Sequence, residues 1–243
     1  MVNKIFRSIL DGVFPDHCRL CGLRSMRALP LCLACERELQ VNSACCYSCA
    51  IPLPPVSGPD SPTQCGACLQ VPPPFQRTIA PWLYCEAMAY LIRRWKFHGE
   101  RQLTPLLATL WLQQVYEPDP VDALIPVPLH WRRLWRRGFN QSELLCRQLR
   151  ALAPGDVAAG LDRRGIRRRR ATPAQSGMAA ARRAVNLRGA FTAHRRYDNL
   201  RVAIIDDVFT TGATAAAMAV ALRNAGAAHI EVWCLARTPA PGA

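Results

Sequence analysis

The sequence predicts an α/β protein: a parallel sheet with flanking helices, preceded by a small cysteine-rich region that binds metal. Eight of the twelve cysteines form Cys-x-x-Cys pairs within the first 75 residues. After residue 75, segments with strand and helix patterns alternate, which is typical of a parallel sheet covered on both faces. A buried strand near the C-terminus leads into two adjacent aspartates. The proline-rich segment 71–74 predicts a boundary between two domains, residues 1–75 and 76–243.

The cysteine pairs have the spacing of zinc ligands. One Cys-x-x-Cys places two thiolates on one tight turn, and two such turns complete a tetrahedral site. Because this segment has few large apolar residues, we expect it to need metal for folding. Sequential pairing is the simplest arrangement, but interleaved pairing also fits, Cys45 is an alternative to Cys46, and His17 lies beside the first pair. The predicted ligands of structural Zn²⁺ are Cys18, Cys21, Cys32 and Cys35, then Cys46, Cys49, Cys65 and Cys68.

The segments after residue 75 predict five strands and five helices. Strands are assigned to short apolar runs, and helices to longer runs with apolar residues every three or four positions. Residues 96–99 are expected to form a turn, with only a weak ligand role for Lys96. The predicted strands are 77–84, 122–127, 157–161, 202–205 and 229–236, and the predicted helices are 86–97, 102–116, 140–153, 176–185 and 214–225.

Residues 202–214 have the properties of a site for a sugar phosphate. Asp206 and Asp207 follow a buried strand, and open α/β sheets bind ligands at this end of their strands. The next loop and the start of the following helix offer backbone N–H groups to a phosphate. The two carboxylates can accept hydrogen bonds from the hydroxyl pair of a ribose, so the implied ligand is a ribose 5-phosphate. The predicted phosphate-binding residues are Thr210, Thr211, Gly212, Ala213 and Thr214.

Positive charge is concentrated after residue 75. Residues 76–243 carry 25 basic and 12 acidic side chains, whereas residues 1–75 carry six and five. Such a field predicts a polyanionic partner, although an arginine-rich soluble domain is the alternative. In residues 130–139 basic and aromatic residues alternate, so Trp131 and Trp135 either stack on nucleic-acid bases or pack into the core. The residues predicted to bind pyrophosphate or DNA are Arg132, Arg133, Arg136 and Arg137.

Three blocks of sequence resemble the ComF/GntX family of competence and DNA-utilisation proteins. They are the cysteine pairs, IPVPLHWRRLWRRGFNQSELL at 125–145 and RRATPAQSGMAAARRAVNLRGAF at 169–191. The segment VAIIDDVFTTGAT at 202–214 is also similar to the phosphoribosyl pyrophosphate signature of type I phosphoribosyltransferases.

This resemblance implies a type I phosphoribosyltransferase-like fold that binds phosphoribosyl pyrophosphate together with Mg²⁺. It also implies handling of single-stranded DNA at the cytosolic side of the inner membrane, beside other DNA-uptake proteins. The arginine-rich segment 163–188 corresponds to a loop that closes over the ligand, although a solvated run of charge is the alternative. The residues implied in that loop are Thr172, Gln175, Arg183 and Asn186.

Three functions remain open at this stage. The first is a phosphoribosyl-pyrophosphate-binding and zinc-binding protein of DNA uptake. The second is an active phosphoribosyltransferase that transfers the phosphoribosyl group to an unidentified acceptor and releases pyrophosphate. The third is a nucleic-acid-binding module without chemistry. A glutamine-dependent amidotransferase is excluded because Val2, rather than a catalytic cysteine, follows Met1.

The N-terminal residues do not have the pattern of a signal peptide, because charged residues interrupt their apolar stretch. No segment approaches the roughly 18 uninterrupted apolar residues of a membrane-spanning helix. We therefore expect a cytoplasmic protein, with peripheral association at the inner membrane left open. Reduced thiols in that compartment favour metal binding over disulfides.

Overall fold

The structure of the chain is a computed structural model, and it describes residues 17–54, 63–115, 118–152, 158–168 and 189–240. Eight strands and seven helices lie within these ranges. The strands are β1 (Arg77–Ile79), β2 (Trp82–Leu83), β3 (Val121–Pro126), β4 (Ala158–Leu161), β5 (Ile166–Arg168), β6 (Phe191–Ala193), β7 (Arg201–Phe209) and β8 (His229–Arg237). The helices are α1 (Leu33–Arg37), α2 (Gly66–Gln70), α3 (Glu86–Phe97), α4 (Leu103–Gln114), α5 (Trp131–Arg137), α6 (Gln141–Leu152) and α7 (Ala213–Asn224).

A parallel sheet forms the centre of the molecule, with strand order β1-β8-β7-β3-β4 and with β2 also paired to β8. Every pairing within this sheet is parallel. The predicted fold class is therefore confirmed: a parallel sheet with flanking helices follows the cysteine-rich region. A separate antiparallel pair, β5 with β6, was not predicted.

The direction of the chain crossings reverses between β3 and β7. From β3 the chain passes through α5 and α6 to β4 on one side, and from β7 it passes through α7 to β8 on the other. The segments that follow β3 and β7 thus diverge and leave a crevice at the carboxyl ends of these two strands. Open α/β sheets bind ligands at this kind of position.

Alternate residues of the central strands build the core on the two faces of the sheet, because successive side chains of a strand point to opposite faces. Ala203 and Ile205 of β7 belong to one buried cluster, which also contains residues of α3, α4 and α6. Val202 and Ile204 belong to the other, which contains residues of α7 and of the β5–β6 pair. Helices therefore cover both faces, as expected for a parallel sheet.

The cysteine-rich region packs against the β1 edge of this sheet. Thr78 of β1 donates its backbone N–H to the Tyr47 carbonyl at 3.1 Å and its hydroxyl to the Ser48 carbonyl at 2.7 Å. The backbone N–H of Leu83 in β2 donates to the carbonyl of Gln40 at 2.8 Å. The two regions are therefore in direct contact with each other. The domain boundary between residues 75 and 76 stays a prediction.

Two predicted strands differ from the structure. The strand predicted at 77–84 is wrong as a single element, because β1 and β2 are separated by Ala80 and Pro81 and proline has no N–H to donate to a neighbouring strand. The strand predicted at 202–205 is too short, because β7 continues to Phe209 while pairing with β8. The helix predicted at 176–185 lies outside the described residues.

Candidate functional site

The eight predicted zinc ligands form two clusters of four thiols. The first contains Cys18, Cys21, Cys32 and Cys35, the second contains Cys46, Cys49, Cys65 and Cys68, and within each the sulfur atoms lie within 4.8 Å of one another. The sequential pairing is therefore confirmed, and the interleaved one is wrong. Neither Cys45 nor His17 belongs to a cluster among the described residues.

The distances between the sulfur atoms fit zinc. Four thiolates at about 2.3 Å from a central Zn²⁺ form a tetrahedron with edges of about 3.8 Å. The Cys21 and Cys32 sulfurs are 3.8 Å apart in the first cluster, and the Cys49 and Cys65 sulfurs are 3.7 Å apart in the second. Both clusters thus have the donor set and the size of a structural zinc site with no open coordination position.

In each cluster the backbone stabilises one cysteine as a thiolate, whereas burial and the neighbouring cysteines raise the pKa of Cys35, Cys49 and Cys68. Burial raises the pKa of Cys18, but hydrogen bonds from backbone N–H groups, including those of Cys21 and Cys32, outweigh it and lower the pKa to about 6. The same balance at Cys46 lowers its pKa to about 7, and the Cys65 N–H lies 3.3 Å from the Cys46 sulfur. Since the thiolate is the metal-binding form, both turns are prepared for a cation.

Asp206 and Asp207 lie in the second half of β7, at the crevice between β3 and β7. The carboxylate of Asp207 is buried; its Oδ1 lies 2.7 Å from the Lys96 Nζ, and its Oδ2 accepts from the Gln141 Nε2 at 2.9 Å. Lys96 ends α3 and Gln141 begins α6, so two helices of one face supply both partners. These contacts hold Asp207 as one half of a buried ion pair.

Asp206 has a different environment, although it is the next residue. Its side chain is half-buried, and its Oδ1 accepts from the Asp207 N–H at 2.9 Å and from the Ser142 hydroxyl at 3.5 Å. Burial and the neighbouring charge of Asp207 raise the pKa of Asp206 to about 7, while Lys96 opposes the shift. The two carboxylates are therefore not equivalent.

The predicted phosphate loop connects β7 to α7. Gly212 precedes α7 with φ of 74°, in the left-handed region, and the first N–H of this helix, that of Ala213, donates to the Thr211 hydroxyl at 3.4 Å. A Cβ at residue 212 would lie 2.6 Å from Cζ of Phe209, so both backbone conformation and space require glycine. The loop thus brings Thr210, Thr211 and the first N–H groups of α7 together beside Asp206.

A buried arginine links this loop to the second cysteine cluster. Arg237, at the end of β8, donates its Nε to the Cys49 carbonyl at 2.9 Å and one terminal nitrogen to the Phe209 carbonyl at 3.2 Å. Its guanidinium also lies 5.3 Å from the centre of the Phe209 ring. The residue before the phosphate loop is therefore connected to a zinc-ligand turn through one side chain.

The predicted basic and aromatic segment forms α5, beside the crevice. His130 accepts from the Arg132 N–H at the start of this helix, and Gly138 ends it with a left-handed φ of 75°. The alternative that Trp131 and Trp135 pack into the core is wrong, because their exposed fractions are 65% and 87%. Both indole rings face solvent among the arginines of this helix.

Arg137 differs from the other arginines of α5. It donates to Oε1 of Gln141 at 2.6 Å, and its guanidinium lies 5.3 Å from the centre of the Phe97 ring. Burial lowers its pKa, whereas the charge of Asp207 opposes the shift. Arg168 in β5 behaves similarly, since burial and the nearby Arg133 lower its pKa and Asp206 opposes the shift. Positive groups thus surround the carboxylate pair.

Sequence reasoning missed Gln141, Ser142 and Arg237 and gave Lys96 only a weak ligand role. Lys96, Gln141, Ser142 and Arg237 lie far from the aspartates along the chain, and only the packing of α3, α6 and β8 brings them near. Lys96 is the only lysine after residue 75, where every other Lys or Arg position is an arginine. This was the only local signal in the sequence for any of the four residues. The four residues implied in the closing loop, Thr172, Gln175, Arg183 and Asn186, lie outside the described residues.

Comparisons with known proteins agree with this architecture. A family model described as a double zinc ribbon domain matches residues 9–69. In the described part of the chain, no helix is both long and apolar enough to span a membrane.

Similar proteins extend over nearly the whole chain. It is 37% identical over 232 residues to DNA utilization protein YhgH of Salmonella typhi, covering 92% of this chain and 98% of that protein. The protein of the same name from Escherichia coli K12 is 35% identical over 231 residues, with the same coverage. Competence protein F of Haemophilus influenzae is 31% identical over 230 residues, covering 91% of this chain and 95% of that protein. The chain therefore belongs to the ComF/GntX family, whose members include these DNA utilization and competence proteins.

Proposed function

We propose that the crevice between β3 and β7 binds phosphoribosyl pyrophosphate, and that the protein uses this site in DNA utilisation. The observation that carries the proposal is the junction of Asp206 with a loop that requires Gly212 and opens into α7. A carboxylate that accepts from ribose hydroxyls thereby lies next to N–H groups that point toward a phosphate. One ligand that carries both groups is a ribose 5-phosphate.

The charges around the site support a polyanionic form of that ligand. Arg137 and Arg168 lie near enough to the two aspartates for their charges to interact, and Arg133 lies near Arg168. The positive charges of these arginines complement the negative charge of a pyrophosphate. An arginine guanidinium can also donate two parallel hydrogen bonds to a pair of phosphate oxygens. The proposal includes Mg²⁺ bound to the pyrophosphate oxygens of the ligand, because Mg²⁺ prefers oxygen ligands.

Calorimetric titration of the zinc-loaded protein with phosphoribosyl pyrophosphate and Mg²⁺ tests the proposal. We expect saturable binding that the double substitution Asp206→Ala/Asp207→Ala abolishes. Asp119→Ala/Asp198→Ala is the matched control, because these two carboxylates are exposed and lie outside the site. No binding by a folded, zinc-replete protein would contradict the proposal. A pyrophosphate-release assay with a panel of nucleophiles then separates binding from transfer.

A second binding function, for single-stranded DNA, is favoured by α5. Trp131 and Trp135 are exposed on this helix, and the Arg132 guanidinium lies 5.2 Å from the centre of the Trp131 ring. Exposed aromatic rings among arginines offer stacking surfaces for bases and cations for phosphates. The printed names of the relatives, DNA utilization and competence proteins, agree with such a partner.

Fluorescence anisotropy with a labelled oligodeoxythymidine tests this second function. We expect Trp135→Ala to weaken binding about tenfold, because base–aromatic stacking contributes about 1–3 kcal/mol per base. Leu152→Ala is the matched control, since Leu152 is 44% exposed but lies at the end of α6 rather than on α5. Equal affinities for the two variants would contradict a role for α5.

A further inference from the structure

We propose that, of the two adjacent carboxylates, only Asp206 accepts hydrogen bonds from the ribose hydroxyls, whereas Asp207 is held by Lys96 and Gln141 and positions the strand end. This inference rests on the proposed binding of a ribose 5-phosphate. It replaces the expectation that both aspartates hold the hydroxyl pair with a division of labour between them.

Both carboxylate oxygens of Asp207 already have donors. Lys96 Nζ lies 2.7 Å from Oδ1, and Gln141 Nε2 lies 2.9 Å from Oδ2. The exposed fractions of the Lys96 and Asp207 side chains are 18% and 7%, so solvent screens this ion pair little. Asp207 is 7% exposed and each of its oxygens faces a buried donor, so a ligand hydroxyl could reach it only by moving the Lys96 or Gln141 side chain, and separating a buried charge from its partner is costly.

The orientation of Gln141 is determined by its other neighbour. Its Oε1 accepts from Arg137 at 2.6 Å, which leaves the Nε2 group as the donor to Asp207. Arg137, Gln141, Asp207 and Lys96 therefore form one continuous chain in which each donor has an acceptor. Rotating the amide would break both of its hydrogen bonds, so this chain gives Asp207 a fixed position.

Asp206 retains the capacity to accept. Its Oδ1 has the Asp207 N–H at 2.9 Å and a long contact of 3.5 Å with the Ser142 hydroxyl. In the part of the chain that the structure describes, no hydrogen-bond donor reaches Oδ2 of Asp206. This half-buried carboxylate oxygen is therefore available to accept from a hydroxyl group of a ligand in the crevice.

Discrimination between two sugar phosphates tests the inference in the zinc-loaded full chain. The probes are ribose 5-phosphate and 2-deoxyribose 5-phosphate, which differ by one hydroxyl of the pair, and the variants are Asp206→Asn and Asp207→Asn. We expect the protein to prefer the ribose form, and Asp206→Asn to weaken ribose 5-phosphate about tenfold and to remove the preference. Asp207→Asn is expected to preserve the ratio of the two affinities. Asp198→Asn is the control for an exposed aspartate.

Thermal unfolding of a double-mutant cycle tests the ion pair without any ligand and remains informative if one variant is unstable. We expect Lys96→Met and Asp207→Asn each to lower the melting temperature, and the double variant to lose less than the two losses combined, because it leaves no uncompensated charge. If the losses of melting temperature are additive, Lys96 and Asp207 do not stabilise each other, and this part of the inference is wrong.

The remaining outcomes separate the inference from the proposed function. If Asp207→Asn removes the preference for ribose, or if Asp206→Asn preserves it, the division between the aspartates is wrong while ribose phosphate binding stands. If the unsubstituted, zinc-replete protein binds neither these probes nor phosphoribosyl pyrophosphate, the proposed function fails and the inference fails with it.

Discussion

The two cysteine clusters are each built from two Cys-x-x-Cys pairs, but they pack against opposite faces of the sheet. Cys18, Cys32 and Cys35 of the first lie against the core face that contains α3, α4 and α6. Cys49 of the second lies against the face that contains α7, and its carbonyl accepts from Arg237. Identical donor sets thus stabilise different parts of the protein, and within the described ranges only the second cluster is hydrogen-bonded through one side chain to the residue before the phosphate loop.

The largest expected effect comes from removing one zinc site at a time. We expect Cys65→Ser in the second cluster to abolish detectable binding of phosphoribosyl pyrophosphate, because the whole segment around this cluster, which packs on β1 through Ser48 and holds Arg237 through Cys49, loses the metal that folds it. Cys21→Ser in the first cluster is expected to lower the melting temperature but to leave the ligand affinity of the folded protein within about threefold. Zinc content, melting temperature and calorimetry check this. Equal losses of affinity would remove the distinction between the clusters.

The next effect concerns the loop itself. We expect Gly212→Ala to reduce affinity for phosphoribosyl pyrophosphate at least about tenfold, because the added Cβ meets the Phe209 ring and the left-handed backbone becomes strained. Gly189→Ala is matched to it, since Gly189 also has a positive φ, of 67°, but open space around its Cβ position. The control is expected to lose only stability. Titration of both variants measures the difference, and unchanged affinity of Gly212→Ala would contradict the loop as the phosphate site.

A smaller effect is expected for the side chain that joins cluster and loop. Arg237→Met leaves the Cys49 carbonyl without this donor, and a buried unsatisfied group costs about 1–3 kcal/mol, whereas the Phe209 carbonyl keeps the Thr238 N–H at 3.0 Å. We expect a lower free energy of unfolding and a loss of ligand affinity of about three- to tenfold, with zinc content unchanged. Denaturant unfolding and titration measure these quantities. Arg201→Met, at the exposed start of β7, is the control, and equal ligand affinities would contradict the link.

The smallest effect is the dependence of ribose 5-phosphate binding on pH. Burial and Asp207 raise the pKa of Asp206 to about 7, so this carboxyl is protonated below that pH and ionised above it. The ionised form accepts more strongly, and affinity is therefore expected to rise by up to about tenfold from pH 6 to pH 8. Lys96, Ser142 and Arg168 also face this region. Asp206→Asn provides the baseline, and the same pH profile in that variant would contradict the assignment.

Much of this architecture could be predicted from the sequence, because its signals are local. The Cys-x-x-Cys turns, the strand that leads to Asp206 and the requirement for Gly212 each depend on neighbouring residues alone. The site could not be completed in this way, because Lys96 and Gln141 reach Asp207 only through the packing of α3 and α6. The same limit explains the tryptophans of α5, whose spacing fits a buried face although the folded helix exposes them.

The most direct test of the ribose phosphate site is a titration of the ¹⁵N-labelled, zinc-loaded protein with ribose 5-phosphate, followed by the chemical shifts of its backbone amides. The account predicts that the largest changes occur at residues 211–215 and around Asp206, and that they saturate together with one dissociation constant. Changes confined to α5, or the absence of any saturable change, would contradict a phosphate site at the start of α7.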